Sequence, residues 1–146
     1  MVVSNRWILP DGVVDVLPAQ AQLLEAIRGR MLKLFDSWGY DLVIPPMLEF
    51  TDSLHSAAGE DLELLTFRTV DPLSGKTMGV RPDITPQIAR IDAHSLRREG
   101  PARLCYAGTV LHTRARDVLS SRTPISIGLE LFDLLLINFL STIYIL

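Results

Sequence analysis

The chain has 146 residues, one cysteine and a formal net charge of −3. That length fits one ordinary domain, and a composition 48% hydrophobic and 21% charged excludes a disordered chain. The lone Cys105 excludes an internal disulfide, and the charge gives no electrostatic basis for non-specific nucleic-acid binding.

The first 17 residues read as irregular, with a turn at Pro10-Asp11-Gly12 and a helix entry at Pro18. From 19 to 38 the spacing is helical. Leu24, Ile27, Met31, Leu34, Phe35 and Trp38 recur at three and four residues and define the face expected to be buried. Gly39 suits the left-handed position that closes a helix. A short strand at 41–44 is stopped by Pro45-Pro46, and Thr51 opens a short helix to about residue 57. Residues 64–70 and 76–80 form a hairpin around Asp71-Pro72-Leu73-Ser74-Gly75.

Arg81-Pro82-Asp83-Ile84-Thr85-Pro86 then starts a second helix. Thr85 is its expected cap, Pro86 its first residue, and Ile84, Ile88 and Ile91 its buried side, with an end near Arg98. A strand at 103–113, a polar loop at 114–123 and a returning strand at 124–132 complete one α+β unit with mostly antiparallel strands.

Residues 133–146 read DLLLINFLSTIYIL, and no basic residue follows Arg122. This tail carries much of the positive mean hydropathy of +0.26. It is shorter than the roughly 20 apolar residues a membrane helix needs. It could pair as an edge strand, and left exposed it is an aggregation hazard. The N-terminus lacks the charged-then-apolar layout of a signal peptide, so a cytoplasmic location is expected.

Chemistry-bearing residues are few. His55, His94 and His112 have no metal-ligand spacing among themselves or with Cys105, so no metal is expected. Cys105, between Leu104 and Tyr106 in a strand, reads as a buried structural thiol. Asp83 and Thr85 at a helix start can hold an ammonium or amide group, or they serve only in capping, with Arg81 in a salt bridge. Arg114, Arg116 and Arg122 either clamp a phosphate or carboxylate or line a solvated loop.

Several segments, in order, carry a more specific signal. They are Leu9-Pro10-Asp11-Gly12, Asp15-Val16-Leu17-Pro18 and Ser37-Trp38-Gly39-Tyr40, then Val43-Ile44-Pro45-Pro46-Met47-Leu48-Glu49-Phe50 in the place of class II motif 1. After them come Met78-Gly79-Val80-Arg81-Pro82-Asp83-Ile84-Thr85-Pro86-Gln87-Ile88-Ala89-Arg90-Ile91, and 103–114 in the place of motif 2. Over about residues 7–132 the chain resembles the histidyl-tRNA synthetases and their paralogue, the regulatory subunit of ATP phosphoribosyltransferase. The fold so implied is α+β, a class II aminoacyl-tRNA synthetase-like antiparallel sheet with flanking helices, truncated.

Three departures favour the regulatory paralogue. His112 stands where a synthetase carries the arginine that grips the α-phosphate, and Arg114 stands at the motif's next acidic position. An imidazole lacks the planar fork of a guanidinium, so adenylation is expected to fail. The synthetase form Arg-Pro-Glu-Gly-Thr is replaced by Arg81-Pro82-Asp83-Ile84-Thr85-Pro86, the form of the regulatory subunit, and His94 also looks like that paralogue.

The resemblance implies a non-catalytic subunit of histidine biosynthesis without a cofactor. Its partner would be the short-form ATP phosphoribosyltransferase catalytic subunit, with histidine as effector and a homodimer, packed through motif 1 and the long helix, within a heteromultimer. Asp83 and Thr85 match the subsite for the ligand's α-amino group, Glu130 a carboxylate near the ligand, and Arg114 is a further candidate facing a carboxylate. Ser126 replaces a glutamine of that pocket and reaches less far. Residues 1–132 are thus expected to be the N-terminal part of the domain, and 133–146 a tail that does not match the family, from truncation or an altered reading frame. A fragment of a histidyl-tRNA synthetase, or a non-functional remnant of the regulatory subunit, are the alternatives.

Overall fold

The computed structural model describes residues 7–54, 60–115, 120–132 and 139–145. A 20-residue helix, α1 (Pro18–Ser37), comes first. Pro18 sits in its first turn, where the missing N–H costs nothing. Gly39, at φ +75°, ends it. Gly39 N–H reaches Asp36 O (2.9 Å) and Tyr40 N–H reaches Phe35 O (3.1 Å), the paired bonds of a Schellman closure. Phe35 and Tyr40 rings meet across it at 6.5 Å.

Two sheets follow. The smaller has the order β2-β4-β3, from β2 (Leu48–Phe50), β3 (Phe67–Val70) and β4 (Thr77–Val80), all antiparallel. The expected turn at 71–75 closes its hairpin. Asp71 accepts from the N–H of Leu73 and Ser74 and from the Ser74 hydroxyl, which holds its carboxyl below the usual range. The short helix α2 (Thr51–Leu54) packs on β2 and β4, and α3 (Glu60–Leu65) leads into β3. The end of the helix expected from Thr51, and His55, lie outside the described residues.

The larger sheet has the order β1-β5-β6-β7, from β1 (Asp41–Leu42), β5 (Ala102–Thr109), β6 (Ile125–Phe132) and β7 (Phe139–Ile145). It is mixed, since β1 runs parallel to β5 while the other pairs are antiparallel. The tail therefore does pair as an edge strand, through 139–145 against 125–131 of β6. Between the sheets runs α4 (Thr85–Arg90), which widens into a π-helical turn at Ile91–Leu96. Arg97, in the left-handed conformation at φ 47°, ends it.

The main sheet buries both faces. Ile84, Ile88, Leu104, Tyr106 and Val110 form the core under α4. Phe35, Cys105 and Ile127 form the core under α1. Cys105 is the buried structural thiol expected; burial and then Asp41 and Asp36 push it up to about 11.

Several sequence expectations need correction. The hairpin strand read from 64 starts at Phe67, because Leu64 and Leu65 end α3, and the strands read to 44 and 113 stop at Leu42 and Thr109. Thr85 does not cap α4; Ile84 takes the cap position without a side-chain bond, and the Thr85 hydroxyl turns to the sheet instead. Of the expected α1 face only Phe35 is buried, while Leu34 is 55% and Trp38 70% exposed, because the sheet meets the side of the helix that carries Met31, Leu32 and Phe35. Among the described residues Arg81 makes no salt bridge; it is buried and donates to Thr109 O (3.0 Å) and Pro45 O (2.8 Å). It thereby ties the segment after β1 and the end of β4 to β5, and Gly108 makes room for it, since a Cβ there would meet Nη2 at 2.5 Å.

Candidate functional site

Strand alternation sets up the site. On β6, Ile125, Ile127 and Leu129 face α1, so Ser126, Gly128 and Glu130 face α4. On β5, Leu104 and Tyr106 share the α4 side. The register sets Leu104 beside Glu130, Tyr106 beside Gly128, and Thr142 of β7 on the other side of Gly128. The first residue of α4, Thr85, lies over this row.

Four side chains form one network. Thr85 Oγ1 donates to Glu130 Oε1 at 3.0 Å and lies 3.1 Å from Tyr106 Oη. Tyr106 Oη is in turn 2.7 Å from Thr142 Oγ1. An ionised carboxylate only accepts, so the single Thr85 proton is committed to it. Tyr106 then donates to Thr85, and Thr142 donates to Tyr106. With Glu130 ionised, all three hydroxyls point one way along the chain, toward Glu130, an arrangement in which each bond strengthens the next.

Glu130 is 1% exposed, and among the described residues it has no ion-pair partner. Its Oε2, like the buried Ser126 Oγ, has no hydrogen-bond partner among the described residues. Burial raises its pKa to about 7, with the nearby Asp83 charge adding to the shift and the Thr85 and Tyr106 bonds opposing it. Asp83 is half-buried, and its Oδ1 accepts from Ile84 N–H at 2.7 Å. A buried carboxyl with open lone pairs, beside a second carboxyl, is complementary to a cationic N–H donor such as an ammonium.

Three of the four candidate residues thus gather at one place: Thr85 and Glu130 in direct contact, with Asp83 electrostatically coupled to Glu130. Arg114 is not brought in. It lies exposed in the bend after β5, and among the described residues no hydrogen bond links it to the network. Arg116 lies outside the described residues. Arg122 is structural: Nε donates to His112 O and Nη1 to Asp11 O, both at 3.0 Å, and its guanidinium stacks on Phe67 at 5.2 Å. His112 is buried, and its Nε2 donates to Pro82 O at 2.9 Å. His94 is exposed on the π-helical turn, away from the core.

Sequence reasoning missed Tyr106 and Thr142. The two-residue alternation through Leu104 places Tyr106 on the Glu130 face, so a signal existed for it. Thr142 had none, because only the β6–β7 register carries it there.

Comparison with known proteins places these features in a family. The family described as Histidyl-tRNA synthetase matches residues 12–134. A protein of Stutzerimonas stutzeri named ATP phosphoribosyltransferase regulatory subunit is 58% identical over 132 residues, covering 90% of this chain and 33% of the relative. One of the same name from Saccharophagus degradans is 61% identical over 128 residues, covering 88% and 32%. The chain thus spans about a third of the length of the curated relatives it matches. Among solved structures, an ATP phosphoribosyltransferase regulatory subunit/histidyl-tRNA synthetase from Bacillus halodurans superposes with a TM-score of 0.75 at 30% identity, over 90% of this chain and 33% of that one. The apo histidyl-tRNA synthetase of S. aureus shares the fold, with a TM-score of 0.66 at 21% identity, over 84% of this chain and 32% of that one. The class II synthetase-like fold expected from the motifs is therefore the fold observed, and the chain belongs to the histidyl-tRNA synthetase family.

Proposed function

We propose that the chain is the N-terminal part of an ATP phosphoribosyltransferase regulatory subunit. It is a non-catalytic, cytoplasmic component that pairs with the short-form catalytic subunit and binds histidine as effector. Residues 1–132 are the synthetase-like part, and residues 133–146 are an apolar tail that does not match the family. The observation that carries the reading is the buried Glu130, with an open carboxylate oxygen, held by Thr85 and coupled to Asp83. These groups suit an α-ammonium, and the relatives sharing 55–61% of the sequence bear the regulatory-subunit name. Among the described residues no helix is long and apolar enough to cross a membrane.

His112 supports a role without adenylation. Its ring is 1% exposed and its Nε2 is spent on Pro82 O, so it does not present a charged fork to a phosphate. The second reading, a synthetase fragment, is favoured by the family match itself. Histidine-dependent pyrophosphate exchange separates the two. No exchange is expected, together with co-purification of the chain with the short transferase. Exchange above background would overturn the regulatory reading, and failure to associate or to support transferase activity would favour a non-functional remnant.

A further inference from the structure

Among the described residues the two sheets have four edge strands, and three of them are blunted. β1 is two residues long and its Asp41 pairs with Arg98; β2 is three and its Glu49 pairs with Arg90; β3 is four and its Arg68 pairs with Glu63. Shortness and charge are the usual guards against a further strand adding to an edge. β7 has neither. Phe139–Ile145 is seven residues without charge, proline or glycine. It is paired with β6 on one side only, so alternate residues along it turn their N–H and C=O to the open side. Its side chains have the pattern of an inner strand. Tyr144 packs on the Ile84–Ile88–Tyr106 core and Ile145 on the Phe35–Cys105–Ile127 core, on opposite faces of the sheet. Strands that face water on one side alternate apolar with polar, whereas inner strands covered on both faces are apolar throughout. Ile143 is nonetheless 49% exposed. β7 thus has the composition of a strand with two neighbours, and one neighbour.

We propose that β7 pairs antiparallel with β7 of a second copy of this chain, joining the two four-stranded sheets into one continuous sheet across a two-fold axis near Thr142. Charge decides the occupant. Like charges set directly opposite one another are what opposes the pairing of a strand with itself. An antiparallel pair about the middle of 139–145 brings no charge into opposition at any position. The open side of one β7 is also the surface it meets, so the contact is isologous. Both open sides are used up when two copies meet, and β1 at the far end of the sheet is blunted, so the assembly closes at two. The partner strand satisfies the outward backbone groups of β7 and covers Ile143.

The test is sedimentation and amide hydrogen exchange of the full chain carrying Leu34→Ser, which weakens the other contact expected of it, with and without Ile143→Lys. Protection of 102–109 reports that each protein is folded. The Leu34→Ser chain is expected to sediment as a dimer as concentration rises, with exchange at 139–145 slowing in step while 67–70 is unchanged. Ile143→Lys puts a charge at a half-exposed position in the middle of the strand and is expected to weaken that dimer about tenfold. A Leu34→Ser chain that stays monomeric, with exchange at 139–145 independent of concentration, would overturn the proposal whether or not the lysine variant folds. So would a dimer that is equally tight with Ile143→Lys in a chain still protected at 102–109. Growth past the dimer into fibres that bind thioflavin T would overturn the closed two-fold pairing.

Discussion

The two helices that pack on the main sheet make opposite use of their apolar residues. α4 is six residues long, yet Pro86, Gln87 and Ile88 are all buried, and Ile84 before it is 1% exposed. α1 is more than three times longer and buries only Phe35, leaving Leu23 62%, Leu34 55% and Trp38 70% exposed. Hydrophobic period says which side of a helix wants cover. It does not say whether the covering surface belongs to the same chain. α4 is enclosed because β2, β5 and β6 surround it, and polar groups lock it there. Gln87 Nε2 donates to Pro46 O at 2.8 Å and Glu49 Oε1 at 3.0 Å, and Arg90 pairs with Glu49.

That contrast breaks most sharply under substitution of the buried helix. Ile88→Ala, at a side chain with 0% exposure, is expected to cost about 4 kcal/mol, the transfer term plus the cavity left between α4 and β5. Urea denaturation measures it; a loss below about 1 kcal/mol would mean that α4 is not the enclosed helix described.

The next effect belongs to the polar floor beneath α4. A carboxyl whose pKa is raised on folding favours the fold most when protonated. Its contribution is fully present below its unfolded value of 4.5 and is lost as pH rises through about 7. For Glu130 that loss is about 3 kcal/mol over this window. Glu130→Gln keeps an acceptor for Thr85 and removes the charge. It is expected to flatten this part of the pH profile, to be more stable than the wild type at pH 8, and to lose histidine binding. Urea midpoints across pH 4.5–8 for both proteins check the sign; a wild-type midpoint that rises with pH in parallel with the variant would exclude a buried, raised Glu130.

The smallest effect lies on the exposed side of α1. Leu34→Ser is expected to change the stability of this chain by about 0.5 kcal/mol or less, since the side chain is already in water. The same substitution would matter only where another surface covers the helix. Analytical ultracentrifugation of wild type and variant at rising concentration reads that directly: self-association of the wild type, weakened by Leu34→Ser, is the expected result for a two-fold contact through α1.

Much of this fold is legible in the sequence where local chemistry decides it. Pro18 and Gly39 bracket α1 to within a residue, and Asp71 to Gly75 announce the hairpin, because turn geometry and ring closure act over a few residues. β2 and α3 were not foreseen, being three and six residues long and too short to show a period. The Thr85 position shows the limit from the other side. Its spacing before Pro86 fits an N-cap, but a buried carboxylate 45 residues away makes a better acceptor than the helix makes a donor, and the hydroxyl goes there.

By itself, then, the sequence determined the bounds of α1, the turn of the hairpin, the family, and three of the residues that meet at the site, since propensity, turn chemistry and motif order are local properties of the chain. Only the tertiary structure decided which apolar face stays uncovered, that Arg114 stands apart while Arg122 is structural, and that Tyr106 and Thr142 complete the network around Glu130. Those outcomes depend on strand register and on burial. Both are set by contacts between residues far apart in the chain, and no local pattern encodes them.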